Sequence, residues 1–325
     1  MNSFDVSGAL AMPTLSEYLT RFEEQVLASV HTNNATLHEA ISRLLAVRGK
    51  RLRPSLTIAC AASHGGAVDA KVLQAAVAIE LVHLSSLIHD DIIDNAQTRW
   101  NIPTINTHEG VNTAILAGDF LLARACALAT AVSPAVGAVV ANAITTLCEG
   151  QMQELADQYQ TTRTFEHMLD AIHGKTAALL SAACEVGGLC GNVPMASVQA
   201  FTKYGEAFGM AFQLIDDVLD CTSTPEKLGK ATGNDIREGT YTMPLILALQ
   251  GEHRMEVEKL LETARKDPAA LIAFLQSIGV FQATIDRAHA YNVAATVSLS
   301  KVPKTPITEA LSTFPEHYTN WALGQ

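Results

Sequence analysis

Apolar residues recur at three- and four-residue spacing along most of this chain, which is the period of α-helices that bury at least one face. Short polar stretches containing glycine or proline separate these periodic segments, as expected for turns between helices. The pattern predicts helices over residues 15–30, 37–47, 55–63, 70–89, 114–131, 141–159, 165–187 and 198–221. No strand-rich region, short repeat or linker composition divides the sequence, so we predict an all-α fold in a single domain covering residues 1–325.

One stretch raises the question of a membrane span. Residues 125–148 carry no charge over 24 positions, which is long enough to cross a bilayer. The stretch is rich in Ala, Thr and Val, and Ser133-Pro134 interrupts it. Because proline ends or kinks a helix, we interpret the stretch as two buried helices that meet at a turn, and we predict no transmembrane segment.

The composition supports a large buried core. Hydrophobic residues make up 48% of the 325 positions, charged residues 17% and aromatic residues 6%. The six cysteines show no Cys-x-x-Cys pair and no zinc-ligand spacing, which favours reduced thiols. The first residues lack the basic start and apolar run of a secretory signal, so we expect a cytoplasmic protein.

The chain is acidic, with a formal net charge of −11 that argues against a general nucleic-acid or anionic-membrane surface. An acidic protein that binds an anion needs metal ions or locally concentrated cations. The densest basic segment is RGKRLRP at residues 48–54, with four cations in six residues ahead of Pro54. A solvated face explains such a segment as well as an anion-binding site does.

Two apolar helices end in the same acidic pattern. Aspartates stand at i, i+1 and i+4 in both: Asp90, Asp91 and Asp94 in the first, and Asp216, Asp217 and Asp220 in the second. Residues four apart share a helix face, so the outer carboxylates repel each other unless a cation lies between them. Oxygen-only donors favour Mg2+ over zinc. A solvated helix end explains either cluster alone, but the matched pair indicates that Mg2+ ions grip a polyanion such as diphosphate.

Several segments, in order, resemble those of the trans-isoprenyl diphosphate synthases, the polyprenyl synthetase family. RGKRLRP resembles the family's GGKRLRP, LIHDDIIDNAQTR its first aspartate-rich region, and ILAGDFLLA its AILAGDYLL segment. HGKTAALL resembles its KTA segment, and FQLIDDVLD with LGKATGNDIREGTYTMP resembles its second aspartate-rich region and lid. The matches run from residue 48 to about residue 245, and the ordered set is far more specific than any one member.

The resemblance implies a bundle of long antiparallel helices around a central cavity, usually assembled as a homodimer. It also implies a prenyl transferase that condenses an allylic prenyl diphosphate with isopentenyl diphosphate. The cofactor would be Mg2+, with about three ions when diphosphate is bound and with ligands from the two aspartate clusters. Asp90, Asp94 and Asp216 are the foremost of these ligands, and the allylic diphosphate would leave as the C–O bond breaks.

The resemblance assigns the other residues of the site to three tasks. Those that share the charge of the leaving diphosphate are Arg99, Lys175 and Lys230. Those that bind isopentenyl diphosphate are Lys50, Arg53 and His83. Those that line the allylic cation with polar oxygens are Thr176 and Gln213. Without the resemblance, His83 would be interpreted as a satisfied core histidine, and Gln213 as a buried polar residue with local partners.

The growing prenyl tail is expected to run antiparallel along the helix that precedes Asp90. Residues one turn and more upstream then determine how deep the tail goes: Ser85, Ser86, Val82 and Ala78, with Ala123 and Ala127 expected on the facing helix. None of these is aromatic. Bulky rings would block the tail, whereas small residues let it pass, so we predict products of about 20 carbons or more.

Two positions depart from the family's pattern. Trp100 follows Arg99 where a second arginine is usual, and an indole cannot reproduce a bidentate grip on diphosphate. Thr240 stands where the lid usually carries a lysine. Two alternatives therefore stay open. One is a terpene cyclase or lyase that ionises a ready-made prenyl diphosphate on the same scaffold, and the other is a partner subunit of a heteromeric synthase.

Overall fold

Helices form most of the chain in the computed structural model, which describes residues 4–47, 49–100, 102–223 and 232–324. The first, in chain order, are α1 (Val6–Ala9), α2 (Leu15–Ser29), α3 (Ala35–Leu45), α4 (Leu52–Ala62), α5 (Ala70–Ile93), α6 (Ile105–His108), α7 (Val111–Val132), α8 (Pro134–Ala156) and α9 (Phe165–Ile172). Further along are α10 (Ala178–Cys190), α11 (Met195–Thr222), α12 (Asn234–Glu238), α13 (Met243–Gln250), α14 (Arg254–Ala264), α15 (Ala269–Ser277), α16 (Val280–Ser298) and α17 (Pro306–Leu323). The predicted all-α fold is confirmed.

Short elements of other kinds lie between these helices. β1 (Thr98–Arg99) and β2 (Ile102–Pro103) pair antiparallel in the connector that follows α5. A π-helical turn, His173–Ala177, joins α9 to α10, so the helix predicted over 165–187 consists of three segments. A 3-10 turn, Leu299–Lys301, follows α16. Elements this short leave no periodic signal in the sequence.

Side-chain caps fix where several helices begin. Asp69 accepts two N–H hydrogen bonds from the first turn of α5, while Asn34 caps α3 and Thr164 caps α9 in the same way. Each cap satisfies N–H groups that have no partner within their helix. Ser133 has an extended backbone that ends α7, and Pro134 begins α8, which confirms the predicted turn.

One compact unit consists of Met1–Thr145, Leu179–Gly205 and Thr296–Phe314. Its central helix is α5, which is apolar on all faces and buried over most of its length, as expected of a core helix. α4 and α7 pack against α5. Ser85 of α5 donates a hydrogen bond to the carbonyl oxygen of Gly118 in α7 at 2.8 Å. This packing fixes the end of α5 that carries the first aspartate cluster.

The second compact unit consists of Thr146–Ala178, Glu206–Ala295 and Pro315–Gln325. The ring of Tyr318 on α17 contacts two rings of α11, edge-on to Phe208 at 5.8 Å and stacked on Phe212 at 5.2 Å between centroids. Such aromatic contacts stabilise packing beyond the area they bury, and they hold the end of α11 that carries the second aspartate cluster. The single domain over residues 1–325 stays a prediction.

Among the described helices, α5 and α7 are long and apolar enough to cross a membrane by length and composition alone, and α15 with α16 passes as a bent pair. The most apolar window of α5 is 72% buried inside the protein, but that of α7 is only 28% buried. The two helices predicted over residues 125–148 are buried on one side only, because Ala129 and Val140 are buried while Ala127 and Ala135 are exposed. The lack of a transmembrane segment and the cytoplasmic location stay predictions.

Candidate active site

The first aspartate cluster closes α5, with Asp90 and Asp91 in its last turn and Asp94 at its C-cap. Asp91 is 5% exposed, and its Oδ1 accepts a hydrogen bond from Nε of Arg99 at 2.8 Å and forms an ion pair with Nη2 at the same distance. Burial raises the pKa of Asp91, and the Arg99 guanidinium partly offsets that rise. The cluster also lies at the negative end of the helix dipole, which increases its need for cations.

The β1–β2 hairpin presents Arg99 and Trp100 beside this cluster. Trp100 occupies the turn with a φ of +51°, a left-handed conformation that costs a residue with a Cβ about 1 kcal/mol. The Arg99 Cζ lies 5.9 Å from the centroid of the Trp100 ring, within the range of a cation–π interaction. The indole is 39% exposed and lines an open cleft with Ile88 and Ile105. The position where the family usually has a second guanidinium therefore offers an aromatic face.

The basic segment before α4 divides into a structural cation and candidate binding cations. Arg51 is the N-cap of α4, and its guanidinium donates to Glu23 at 2.7 Å and to Glu80 at 2.6 Å. Burial raises the pKa of Glu80, and the positive charges of Arg51 and Arg53 partly offset the rise. A buried acid without such a partner would strongly destabilise the fold. Arg51 is thus committed to the fold, and Lys50 and Arg53 are the cations that the resemblance assigns to substrate.

His83 lies on α5, among the arginines of the same unit. Burial lowers the pKa of His83 well below its ordinary value, and the charges of Arg53, Arg99 and Arg51 lower it further. The imidazole is therefore neutral at pH 7. The binding role that the resemblance assigns to His83 would therefore be that of a neutral hydrogen-bonding group. Arg53 and Arg99 therefore lie close enough to His83 for their charges to affect its pKa.

The second aspartate cluster lies near the C-terminal end of α11. Asp217 is 2% exposed, and burial raises its pKa to about 7. The negative charges of Asp216 and Glu154 act in the same direction, while hydrogen bonds from Gln213 and from the backbone of Met243 act against them. Within the described residues, Oδ2 of Asp217 has no hydrogen-bond partner. The amide of Gln213 is neutral, so it does not cancel the buried negative charge of Asp217.

Asp220 has a second task besides its place in the cluster. Its carbonyl oxygen accepts a hydrogen bond from the N–H of Gly233 at 2.7 Å, and its Oδ2 accepts one from the N–H of Asp235 at 3.2 Å. A carboxylate that accepts a backbone N–H in the first turn of a helix acts as a cap. Asp220 thus ties the end of α11 to the start of α12.

The π-helical turn between α9 and α10 places Lys175 and Thr176. Gly174 of this turn approaches Gly150 of α8 backbone to backbone, and a Cβ on either residue would lie 2.7 Å from the other's Cα. Only glycine fits at such a distance. Next to this contact, Nζ of Lys175 donates to Oε1 of Glu154 at 2.6 Å. Single π-helical turns within α-helices are frequent at functional sites.

A chain of hydrogen bonds links this turn to the second aspartate cluster. Thr176 donates to Oε1 of Gln213 at 2.7 Å, and Nε2 of Gln213 donates to Oδ1 of Asp217 at 2.9 Å. The second unit thus brings together Lys175, Thr176, Gln213 and Asp217. Sequence reasoning missed Glu154, whose only signal is an acid near the end of a predicted helix, which is common on solvated surfaces.

The predicted chain-length residues lie on α5. Ala78, Val82 and Ser85 are buried, and Ser86 is partly exposed. Ser85 pairs with the backbone of α7 at Gly118, and Ser86 donates to the carbonyl oxygen of His83. The expectation that two alanines of α7 face these residues is wrong, because Ala123 and Ala127 are both exposed. The buried face of α7 instead carries Ala114, Ala117, Gly118, Leu121, Ala125 and Ala129.

Two positions of the segment that resembles the family's lid, Lys230 and Thr240, come after α11 in the sequence. Lys230 lies outside the described residues. Thr240, at the place of the family's lid lysine, donates its backbone N–H to the carbonyl oxygen of Asp235 at 2.8 Å. The first aspartate cluster belongs to one unit and the second to the other. That the two clusters face each other across a cavity therefore stays a prediction.

The donor chemistry of both clusters fits Mg2+, which prefers carboxylate, phosphate and water oxygens. Across the described part of the chain, no group of three or more His, Cys, Asp or Glu side chains is arranged to hold a metal ion by itself. Mg2+ usually binds through one or two carboxylates and keeps positions for substrate phosphate and water. The buried oxygen of Asp217 that lacks a partner in that part of the chain suits such a site.

Comparison with known proteins places the chain in one family. The sequence profile described as polyprenyl synthetase matches residues 34–278. The heptaprenyl diphosphate synthase component 2 of Geobacillus stearothermophilus is 35% identical, covering 81% of this chain and 82% of that protein. The nonaprenyl diphosphate synthase of Mycobacterium tuberculosis is 30% identical, covering 96% of this chain and 95% of that protein.

Solved structures share the same architecture. The polyprenyl synthase of Caulobacter crescentus CB15, complexed with calcium and isoprenyl diphosphate, superposes with a TM-score of 0.89 at 30% identity and covers 98% of both chains. The decaprenyl diphosphate synthase of Rhodobacter capsulatus superposes with a TM-score of 0.87 at 32% identity and also covers 98% of both chains. The chain therefore belongs to the polyprenyl synthetase family of prenyltransferase enzymes.

Proposed function

We propose that this chain condenses an allylic prenyl diphosphate with isopentenyl diphosphate in a Mg2+-dependent reaction that adds one isoprene unit. One observation carries the proposal: Thr176, Gln213 and Asp217 form a hydrogen-bonded chain next to the Lys175–Glu154 pair. The chain combines polar oxygens for a carbocation, a lysine for diphosphate and a carboxylate that needs a counter-ion. The family of the chain and the names of its relatives support the same reaction.

Mg2+, when bound, supplies Lewis-acid neutralisation of the diphosphate. We infer that its ligands come from the two aspartate clusters, foremost Asp90, Asp94 and Asp216, with about three ions when diphosphate is bound. The raised pKa of Asp217, about 7, supports a divalent cation at the second cluster because such a cation would relieve the buried negative charge. The Caulobacter crescentus structure, complexed with calcium and isoprenyl diphosphate, supports the same combination of ligands.

We infer that Arg99 and Lys175, each held by a carboxylate partner, bind the leaving diphosphate. A guanidinium carries five N–H donors, so Arg99 can bind phosphate oxygens while Asp91 still holds it. Glu154 fixes the ammonium of Lys175 in a corresponding way. Fixed cations stabilise the charge that develops as the allylic C–O bond breaks, and they need no rearrangement at that moment.

We propose that isopentenyl diphosphate binds at Lys50, Arg53 and His83. The two cations attract the diphosphate, and the neutral imidazole donates an N–H to it. Because binding does not require His83 to be protonated, the affinity for isopentenyl diphosphate should not depend on titration of this histidine.

The allylic cation would be stabilised by oxygen atoms. The hydroxyl proton of Thr176 is donated to Gln213, so the lone pairs of Thr176 are left to face a positive charge. The double bond of isopentenyl diphosphate attacks the cation, and loss of a proton to the departing diphosphate restores a double bond. The small residues Ser85, Val82 and Ala78 on α5 support products of about 20 carbons or more, because no ring on that face blocks a long tail.

A product assay tests the proposal. The purified chain is incubated with Mg2+ and allylic diphosphates of increasing length, with and without labelled isopentenyl diphosphate. Label in longer prenyl diphosphates is the expected result. A hydrocarbon or alcohol formed without isopentenyl diphosphate would overturn it in favour of a cyclase or lyase.

A specific observation favours a second candidate, the catalytic or accessory partner in a two-component synthase. Two relatives carry the name heptaprenyl diphosphate synthase component 2. In that case the purified chain alone would give no elongation, and addition of a second subunit from the same source would restore it.

We also propose self-association as a homodimer through α7. At the start of this helix Val111, Ile115 and Leu116 are exposed by 49%, 41% and 64%, and exposed apolar patches of this kind mark interaction surfaces. Analytical ultracentrifugation of the purified chain tests this proposal, and a monomer at micromolar concentration would contradict it.

A further inference from the structure

The loop between α8 and α9 donates hydrogen bonds to backbone carbonyl oxygens at the end of α12 and just after it. Nε2 of Gln158 donates to the carbonyl of Glu238 at 2.6 Å, and the N–H of Tyr159 donates to that of Gly239 at 2.8 Å. Nη1 of Arg163 then donates to the carbonyl of Tyr241 at 2.9 Å. Three carbonyl groups within four residues are thus bound by one loop, which we call the anchor loop (residues 157–164).

Tyr159 and Gly239 are in contact, and both have a left-handed backbone conformation. Their φ angles are +62° and +79°, and a Cβ at position 239 would overlap the Tyr159 ring. The Cζ of Arg265 lies 4.1 Å from the centroid of the same ring, a close cation–π contact. A tyrosine in a left-handed conformation costs about 1 kcal/mol and persists only where its surroundings hold it there. The contacts with Gly239 and Arg265 thus stabilise Tyr159 in its strained conformation.

The backbone held by the anchor loop continues to the second aspartate cluster. The N–H of Thr240 donates to the carbonyl of Asp235 at 2.8 Å, and the N–H of Asp235 donates to Oδ2 of Asp220. The N–H of Gly233 donates to the carbonyl oxygen of Asp220 at 2.7 Å. An unbroken series of hydrogen bonds therefore leads from Gly239 and its neighbours to Asp220.

We propose that Tyr159 is a positioning residue for the second aspartate cluster: through Gly239 and the turn before it, the Tyr159 ring fixes the carboxylate of Asp220. The coupling itself depends only on contacts within one unit. Its effect on diphosphate binding rests on the proposed function. Tyr159 touches no candidate substrate group, so it acts through Asp220 and not on the reacting atoms.

Amide hydrogen exchange of the purified full chain tests the coupling directly. In Tyr159→Ala, the amides of Gly233 and Asp235 should exchange about tenfold faster or more, because loss of the ring lets the turn open locally. Amides of α5, in the other unit, should keep their protection and so report an intact fold. Tyr159→Phe keeps the ring and the Arg265 contact, and its exchange should match that of the unchanged chain. Unchanged exchange at both amides in a folded Tyr159→Ala variant would overturn the proposal.

Gly239→Ala approaches the same contact from the other side. The added methyl group meets the Tyr159 ring at a left-handed position, so the same two amides should lose protection. If this variant does not fold, Tyr159→Ala and Tyr159→Phe still decide the question.

A binding measurement separates this inference from the proposed function. Calorimetric titration of inorganic diphosphate in the presence of Mg2+ should show binding weakened about three- to tenfold in Tyr159→Ala and restored in Tyr159→Phe. Equal affinity in all three proteins, together with faster exchange in Tyr159→Ala, would refute the positioning role while leaving the proposed function intact. If the unchanged chain does not bind diphosphate with Mg2+, the proposed function fails, and amide exchange alone decides the coupling.

Discussion

The two aspartate clusters share one sequence pattern but lie in different electrostatic surroundings. In the first, Arg99 forms a hydrogen bond and an ion pair with Asp91, so the chain itself supplies a counter-ion. In the second, the side chain that donates to Asp217 is the neutral amide of Gln213, while Asp216 and Glu154 add negative charge. The pKa of Asp217 accordingly reaches about 7.

This difference indicates that equal spacing does not mean an equal demand for metal. The first cluster uses its middle aspartate to hold an arginine, and the second uses its last aspartate to cap α12. Asp217 has a neutral amide, that of Gln213, where Asp91 has the positive charge of Arg99. External cations should therefore change the stability of the second cluster more than that of the first.

The largest expected effect comes from removing the outer aspartates. Asp90→Ala or Asp216→Ala should lower kcat by about a thousandfold or more, because the leaving diphosphate loses several kcal/mol of charge stabilisation. Steady-state kinetics with labelled isopentenyl diphosphate measures the loss, and circular dichroism verifies the fold. Asp170→Ala, at an exposed aspartate of α9, is the matched control. Full activity in either cluster variant would contradict the metal assignment.

Asp217→Asn should stabilise the metal-free protein. The folded-state pKa of Asp217 is about 7, against an ordinary value of 3.8 for aspartate, so the folded state binds its proton more tightly than the unfolded state does. The free energy of unfolding of the parent chain in EDTA should therefore fall as the pH rises from about 4 to about 7. Above about pH 7 the whole cost of the buried Asp217 charge should be present. The variant lacks this penalty and should be more stable at pH 8 by at most about 4 kcal/mol.

Urea unfolding at pH 5 and pH 8 measures this difference between Asp217→Asn and the parent chain. The difference in the free energy of unfolding between the two proteins should be smaller at pH 5, where Asp217 of the folded parent is protonated. A gap that does not depend on pH would show that Asp217 does not titrate in this range.

Asp91→Asn should have a smaller effect than Asp217→Asn. Burial raises the pKa of Asp91 too, but the Arg99 guanidinium partly offsets that rise, so relief of the buried charge and loss of the Arg99 partner oppose each other. In the same urea measurement in EDTA at pH 8, the free energy of unfolding of this variant should differ from that of the parent by no more than about 1 kcal/mol. Equal stabilisation by both asparagine variants would remove the contrast between the clusters.

The smallest expected effect is at Trp100. Trp100→Arg restores the guanidinium that is usual in the family, and the KM for isopentenyl diphosphate should fall about three- to tenfold with little change in kcat. Trp100→Phe, which keeps an aromatic ring, is the control. A higher KM in the arginine variant would show that the indole itself contributes to binding.

The fold could be predicted from the sequence to the extent that it is periodic. Apolar spacing located the long helices, and Ser133-Pro134 located the break between α7 and α8. The hairpin around Trp100 and the π-helical turn at Lys175 could not be found, because elements of two to five residues have no period. α7 is apolar on nearly every face, which is why its inward face was assigned to the wrong alanines.

The site could be predicted where its residues belong to recognisable segments. The link from Thr176 through Gln213 to Asp217 joins residues that the resemblance had already named. Glu154 and Glu80 were missed because their partners lie 21 and 29 residues away and no motif connects them. Long-range ion pairs depend on how helices pack, and one sequence does not reveal that packing.

The left-handed backbone at Trp100 makes the hairpin a place where selection for stability and selection for product would diverge. Glycine fits this conformation without strain, so a library screened only for thermal resistance should enrich Trp100→Gly. A library screened for prenyl product would instead reward whichever side chain handles the diphosphate or the cation best. The residue that each screen enriches would show which requirement has kept an indole at this turn.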